Sequence, residues 1–218
     1  MKLVLAGYRN WTQKIFKEIK DYASDKFVSV KIVSTPEELN SIEDSIILGA
    51  GWSWIIPDSV IEENRVIALM HPSDLPEYAG GSPIQHQIID GIIKSKATLF
   101  KVEKSLDTGP VFFKRDISLE GDLEEVLKNI ADATKLLMID FIDSYPDIKE
   151  TPQSLNKKGV RKRLKPEDSK LRKKDFQLLE TQALYNLIRC RQDPYPNVYI
   201  EDKQGRLYFL KVRFEKNE

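Results

Sequence analysis

The sequence predicts an open α/β fold with a mainly parallel sheet and helices on both faces, followed by a short helical and β-hairpin extension. Three observations carry this. Short β-rich apolar runs alternate with segments of helical periodicity as far as Tyr145. From Thr151 the texture changes to a basic, apolar-poor stretch. The last part returns to two β-rich runs around a turn. The expected division is residues 1–150 as one α/β domain and 151–218 as a basic linker with a small C-terminal extension.

Lys2–Ala6 reads as a first strand, ended by Gly7. Trp11–Tyr22 puts Ile15, Phe16 and Ile19 on one helical face. Val28–Val33 is β-rich, and Thr35-Pro-Glu-Glu has an N-cap followed by acids in the first turn. Ser45–Leu48 is the third strand, Asp58–Glu63 a short helix behind Pro57, and Val66–Met70 the fourth strand, with His71 just past its end. Ser82–Ile93 reads as a helix with Pro83 at its first position and Ser82 as its cap. Ala97–Val102 and Val111–Ile117 are strands joined by the turn Lys104–Pro110, and Asp122–Tyr145 is a long amphipathic helix. Beyond it, Phe176–Arg191 reads as helical, and Val198–Glu201 with Arg206–Val212 as a hairpin around Asp202–Gly205. That hairpin is a candidate for pairing across a homodimer axis, since short hairpins seldom stand alone.

Composition narrows the function. The chain has 218 residues, 34 Lys+Arg against 34 Asp+Glu, and no net charge, which argues against a long polyanion as main partner. One cysteine, Cys190, excludes an internal disulfide or a cysteine-rich metal site, and neither histidine has a partner at zinc spacing. There is no GxGxxG and no P-loop. The apolar core of MKLVLAGYRNW is too short for a signal peptide, and no run approaches the ~18 apolar residues of a membrane span. The expected location is the cytoplasm, with no membrane partner.

Ligands of open α/β sheets sit beyond the carboxyl ends of the strands. His71 lies at such an end, in HPSDLPEYAGGSPIQ, and Asp107 lies in the turn KSLDTGPV. Together an imidazole and a carboxylate make a general acid/base pair; apart, each is an ordinary loop residue. His86, inside a helix, reads as structural, and Cys190 as packing. GAGWSWIIP reads equally as core or as an apolar wall for a flat heterocycle. The basic stretch Lys157–Lys174, with only Glu167 and Asp168 acidic, reads as a solvated linker or, alternatively, as a contact to a phosphate-bearing substrate.

Taken together, HPSDLPEYAGGSPIQHQIIDG, the following SLDTGPV, and in the tail KPEDSKL and NLIRCRQDPYPNVYI resemble the folate-dependent formyltransferases, over most of residues 1–212. The branch resembled is that of methionyl-tRNA and sugar N-formyltransferases. LAGYRN stands where glycinamide ribonucleotide formyltransferases carry a Gly/Ser-rich phosphate loop. The resemblance implies a Rossmann-like catalytic domain and formyl transfer from N10-formyltetrahydrofolate to a primary amine. It implies that His71 stabilises the oxyanion and moves protons, and that Asp107 orients and charges it. It also implies a donor pocket lined by Trp54, Ile55 and Ile56 and read by the backbone of Glu103, Ser105 and Leu106. Arg9, Gly81, Ser82 and Gln85 fall on the acceptor side, with Arg9 and the basic stretch as candidates for a pyrophosphate. The family's asparagine two residues before the histidine is here Leu69, with Gln85, Ser73 and Ser82 as candidate replacements. The expected acceptor is a nucleotide-linked amino sugar. A shortened methionyl-tRNA formyltransferase and a folate-binding protein without turnover are the alternatives.

Overall fold

A computed structural model describes residues 1–154 and 160–216. The elements run β1 (Lys2–Ala6), α1 (Asn10–Ala23), β2 (Ser29–Val33), α2 (Pro36–Asn40), β3 (Ser45–Ala50), α3 (Asp58–Glu63), β4 (Val66–His71), α4 (Pro83–Ile89), β5 (Lys94–Lys101), β6 (Val111–Ser118) and α5 (Leu123–Ser144). After these come α6 (Asp175–Leu178), α7 (Thr181–Arg189), β7 (Val198–Glu201) and β8 (Arg206–Phe209). Six strands form one sheet in the order β2-β1-β3-β4-β5-β6. β2, β1, β3 and β4 run parallel, and β5 and β6 are added antiparallel. The fold is therefore Rossmann-like, with a separate two-stranded β7–β8 ribbon.

Period-2 alternation explains the layers. On β1, Leu3 and Leu5 face the core shared with Phe16 and Ile19 of α1 and Leu137, Met138 and Phe141 of α5. Val4 and Ala6 face the opposite core, with Leu39 of α2 and Val60 of α3. Both faces are covered, which is why the parallel strands read as unbroken apolar runs rather than as alternating ones. The helix starts are local: Thr35 and Glu38 form a reciprocal capping box on α2, and Asp122 and Glu125 form one on α5.

Four sequence expectations are corrected. The helix expected over Ser82–Ile93 stops at Ile89, because Gly91 turns left-handed (φ +78°) and frees the chain to enter β5. Ser82 gives that helix no side-chain cap; it is itself left-handed (φ +55°), and its hydroxyl accepts from the Leu164 N–H instead. Phe176–Arg191 is two helices, split where Leu179 and Glu180 are extended. The last strand ends at Phe209 rather than Val212.

The C-terminal segments have a small core of their own, Leu171, Ile188 and Val198, and dock through buried residues. Cys190 lies in the main core, where burial pushes its thiol up to about 11, so it packs as an inert apolar group. The buried Arg189 guanidinium donates to the carbonyls of Leu119 (2.8 Å) and Gly121 (2.9 Å), which ties α7 to the start of α5. Among the described residues no helix is long and apolar enough to cross a membrane.

Candidate functional site

β1, β3 and β4 deliver their carboxyl ends to one cavity of about 270 Å³. Its walls are Arg9 after β1, Gly51–Ser53 after β3, Met70–Pro72 at the end of β4, the first turn of α4, and Arg163, Leu164 and Tyr195 from the C-terminal part. This is the crevice that an open α/β sheet offers where strand order reverses, here on either side of β1.

His71 is the last residue of β4, 7% exposed. Its Nε2–H donates to the Tyr78 carbonyl at 3.0 Å; a carbonyl only accepts, so the proton of the neutral ring belongs on Nε2. Nδ1 keeps its lone pair and lies 3.7 Å from Asp107 Oδ2. The ring is thus oriented by a backbone carbonyl, while Asp107 stands just beyond hydrogen-bond distance as the nearest negative charge. Asp107 is held in turn. Its backbone is left-handed (φ +54°), its Oδ2 accepts from the Gly80 N–H at 2.8 Å, and Gln153 Nε2 donates to the Asp107 and Gly109 carbonyls.

The loop between His71 and α4 is pinned from outside. Arg161 N donates to the Ala79 carbonyl (2.7 Å), and Gly81 N donates to the Arg161 carbonyl (2.8 Å). The chain crosses so closely that a Cβ at Gly80 would stand 2.4 Å from the Arg161 oxygen, and one at Gly81 2.5 Å from Arg163 Cα. That contact is the reason for the glycine pair. Arg161 also pairs with Asp90 (2.8 Å) and lies over the Tyr78 ring. The described part of the basic stretch is therefore not a free solvated linker: Arg161–Leu164 forms a strap over the histidine loop. Further along, Lys170 pairs with Glu201, Arg172 with Asp175 and Lys173 with Asp202, which neutralises much of its charge. Residues 157–159 of the stretch lie outside the described residues.

The Tyr78 hydroxyl bonds Asp90 at 3.1 Å, and burial followed by that bond pushes the phenol up, so it remains a donor. Tyr78→Phe is expected to lower stability by about 1 kcal/mol and to leave the reaction rate unchanged, since the carbonyl that orients His71 remains. Thermal unfolding and a rate assay on one preparation check both halves.

Of the other residues expected at the site, Arg9, Ser82 and Gln85 line the cavity, while Gly81 lies beneath Arg163. Ile56 is buried in the core with Val60, whereas Trp54 and Ile55 (88% exposed) face outward beside Tyr8 and Trp52. Glu103, Ser105 and Leu106 (61% exposed) are on the open turn before Asp107. Lys104 joins that turn to α3 through Glu62 (2.7 Å). Sequence reasoning had Arg163 only within the basic stretch, and missed Tyr195, which arrives from far along the chain, and Tyr78, which acts through a carbonyl that every residue type carries.

Two buried donors have no partner among the described residues: Trp52 Nε1 and Gln85 Nε2, both on residues lining the cavity. Arg9 is stacked between the Tyr8 and Tyr195 rings (4.8 and 5.5 Å). The cavity thus offers N–H donors and a cation between aromatic walls, a surface suited to an oxygen-rich or anionic ligand. No metal-binding cluster occurs among the described residues.

Comparison with known proteins adds the following. Residues 6–142 match the family model described as formyl transferase. A methionyl-tRNA formyltransferase of Rickettsia typhi is 29% identical over 182 residues, covering 81% of this chain and 57% of that protein. The chain therefore spans a little over half the length of that curated relative. A solved structure described as methionyl-tRNA formyltransferase from Clostridium thermocellum superposes with a TM-score of 0.86 at 30% identity, covering 99% of this chain and 94% of that one. A 4-N formyltransferase from Francisella tularensis shares the fold, with a TM-score of 0.78 at 13% identity over 99% of this chain and 98% of that one.

Proposed function

The chain belongs to the formyl transferase family, and on that premise we propose that it moves a formyl group from N10-formyltetrahydrofolate to the primary amine of a nucleotide-linked amino sugar. The observation that carries this is the cavity at His71, with its unpaired donors on Trp52 and Gln85 and its stacked Arg9. A sugar and its phosphates present many oxygen acceptors to these donors.

The donor supplies an activated formyl carbon and leaves as the reduced folate, so it is a co-substrate consumed in each turnover. The exposed apolar side chains of Trp54, Ile55 and Leu106 are suited to a flat ring, which a folate brings. The amine nitrogen attacks the formyl carbon, and the C=O π pair moves onto oxygen. The proton shed by the amine passes to His71 Nδ1, where the Asp107 carboxylate 3.7 Å away stabilises the resulting cation. Collapse breaks the bond from carbon to N10, and N10 takes the proton back from His71. Reactants and products balance, with the histidine returned neutral.

A second reading is favoured by the names of the relatives: a methionyl-tRNA acceptor. Ion pairs at Arg161, Lys170, Arg172 and Lys173 take up part of the charge of the basic stretch and weaken this reading, because tRNA binding rests on many phosphate contacts. The test is release of tetrahydrofolate from N10-formyltetrahydrofolate with a panel of nucleotide-linked amino sugars and with methionyl-tRNA in parallel. Turnover with one sugar nucleotide and none with tRNA is expected. The reverse result would transfer the proposal to the tRNA acceptor.

A further inference from the structure

We infer that Gln85 is the catalytic hydrogen-bond donor that holds the charge building on the formyl oxygen. The inference rests on the formyl-transfer reading above. That oxygen gains a full negative charge as the amine attacks, and an aimed donor lowers the barrier more in that state than in the ground state.

The imidazole cannot fill the role. Its Nε2–H is committed to the Tyr78 carbonyl, and Nδ1 is the atom that takes the amine's proton. Leu69, two residues earlier on β4, has no polar atom in its side chain and packs against Gly49, where a Cβ would meet its Cδ2 at 2.3 Å.

Most neighbouring donors are occupied. The Ser73 hydroxyl donates to the Glu77 carbonyl at 2.6 Å, and that of Thr98 donates to the Ser73 carbonyl at 2.6 Å. Ser82 Oγ accepts from Leu164 N, which leaves its O–H free, but Ser82 is half-buried, so water can satisfy that proton. Gln87 Nε2 is shared between the Pro72 and Pro83 carbonyls. Gln85 Nε2, on a residue 4% exposed, is buried with no acceptor at full hydrogen-bond geometry among the described residues, the Tyr195 hydroxyl standing beside it. A buried N–H without an acceptor is unfavourable until a ligand atom accepts from it.

The backbone behind Gln85 is rigid. Ile84 and Ile88 anchor α4 in the main core, and the Gln87 bond to the Pro72 carbonyl (2.8 Å) fastens the helix to the residue that follows His71. Trp52 Nε1, the other unspent donor, comes from the loop after β3 and is fixed in an aromatic cluster with Trp54. Its N–H is assigned to the body of the acceptor, which makes it a binding contact.

The test measures kcat and KM for tetrahydrofolate release from N10-formyltetrahydrofolate with hydroxylamine, and with water, as acceptor. Both reactions build the same oxygen charge, so the natural acceptor is not required. Gln85→Ala is expected to lower kcat by roughly 10²–10³-fold with the KM for the donor little changed. Gln85→Glu keeps the shape but replaces the donor with an acceptor, and is expected to be as slow. Unfolding midpoints near the wild type's show that both variants are folded. Partial recovery of kcat by adding Leu69→Asn to Gln85→Ala would support the assignment strongly. A kcat for both Gln85 variants within about twofold of wild type, or a loss of kcat in Trp52→Phe in their place, overturns it and leaves the formyl-transfer reading standing. A wild type that transfers formyl to none of hydroxylamine, water, the sugar nucleotides and methionyl-tRNA removes both.

Discussion

His71→Ala is expected to slow formyl transfer by about 10²–10⁴-fold, the range that a positioned acid/base group contributes. The argument is geometric. His71 is the buried terminal residue of β4, and its ring has one assigned proton and one free lone pair because the Tyr78 carbonyl accepts from Nε2. The other base in reach, the Asp107 carboxylate 3.7 Å from Nδ1, is held by the Gly80 N–H. Removing the ring also leaves the Tyr78 carbonyl without its donor, at a cost to stability on the order of 1–3 kcal/mol. The rate should therefore be compared at a temperature where the variant is fully folded by circular dichroism. Asp107→Asn separates charge from structure: the side-chain oxygen still accepts from the Gly80 N–H, so stability should hold while the rate falls. A His71→Ala enzyme within about threefold of wild type would remove the imidazole from the chemistry.

What was legible in the sequence had local physical causes. Thr35-Pro36-Glu37-Glu38 states a helix start within four residues, and the structure has that capping box. Leu3–Ala6 is apolar on both faces, the mark of a strand covered on both sides, and it lies inside the sheet between β2 and β3. What was illegible depended on chain arriving from elsewhere. The two-residue break between α6 and α7 follows from the docking of each helix, and nothing at Leu179 announces it. Gly91 did carry a stop signal, but the apolar Ile92 and Ile93 beyond it, which lead into β5, extended the helical pattern past it. At the site, His71 stands out as a polar residue at a strand end and Asp107 as a carboxylate in the turn between β5 and β6. The crossing of Arg161–Arg163 over Gly80 and Gly81 does not, because the sequence records only two glycines and not what fills the space above them.

Among substitutions that remove no functional side chain, Gly109→Ala is expected to do most damage. An added Cβ would stand 1.9 Å from the Lys101 carbonyl oxygen and 2.9 Å from its carbon. Both are backbone atoms of β5, and Lys101 N–H is bonded to the Pro110 carbonyl at 2.9 Å, so the strand end is closed against the turn. The turn must give way instead. It is clamped by Gln153 on the Asp107 and Gly109 carbonyls, and Asp107 is already left-handed, so a displacement there breaks several bonds together. The Asp107 carboxylate then leaves both the Gly80 N–H and His71. A misplacement of about 1 Å at a catalytic group costs roughly 10²-fold in rate, and overpacking of this kind costs about 1–3 kcal/mol. Urea unfolding and the tetrahydrofolate-release assay measure the two effects separately. Gly91→Ala is the control, since no atom lies within 4 Å of its new Cβ and only the positive φ is strained; it should lose about 1 kcal/mol and no activity. If Gly109→Ala instead kept the wild-type rate, the carboxylate would not need the place this turn gives it, and Asp107 could no longer be assigned the charge that steadies His71.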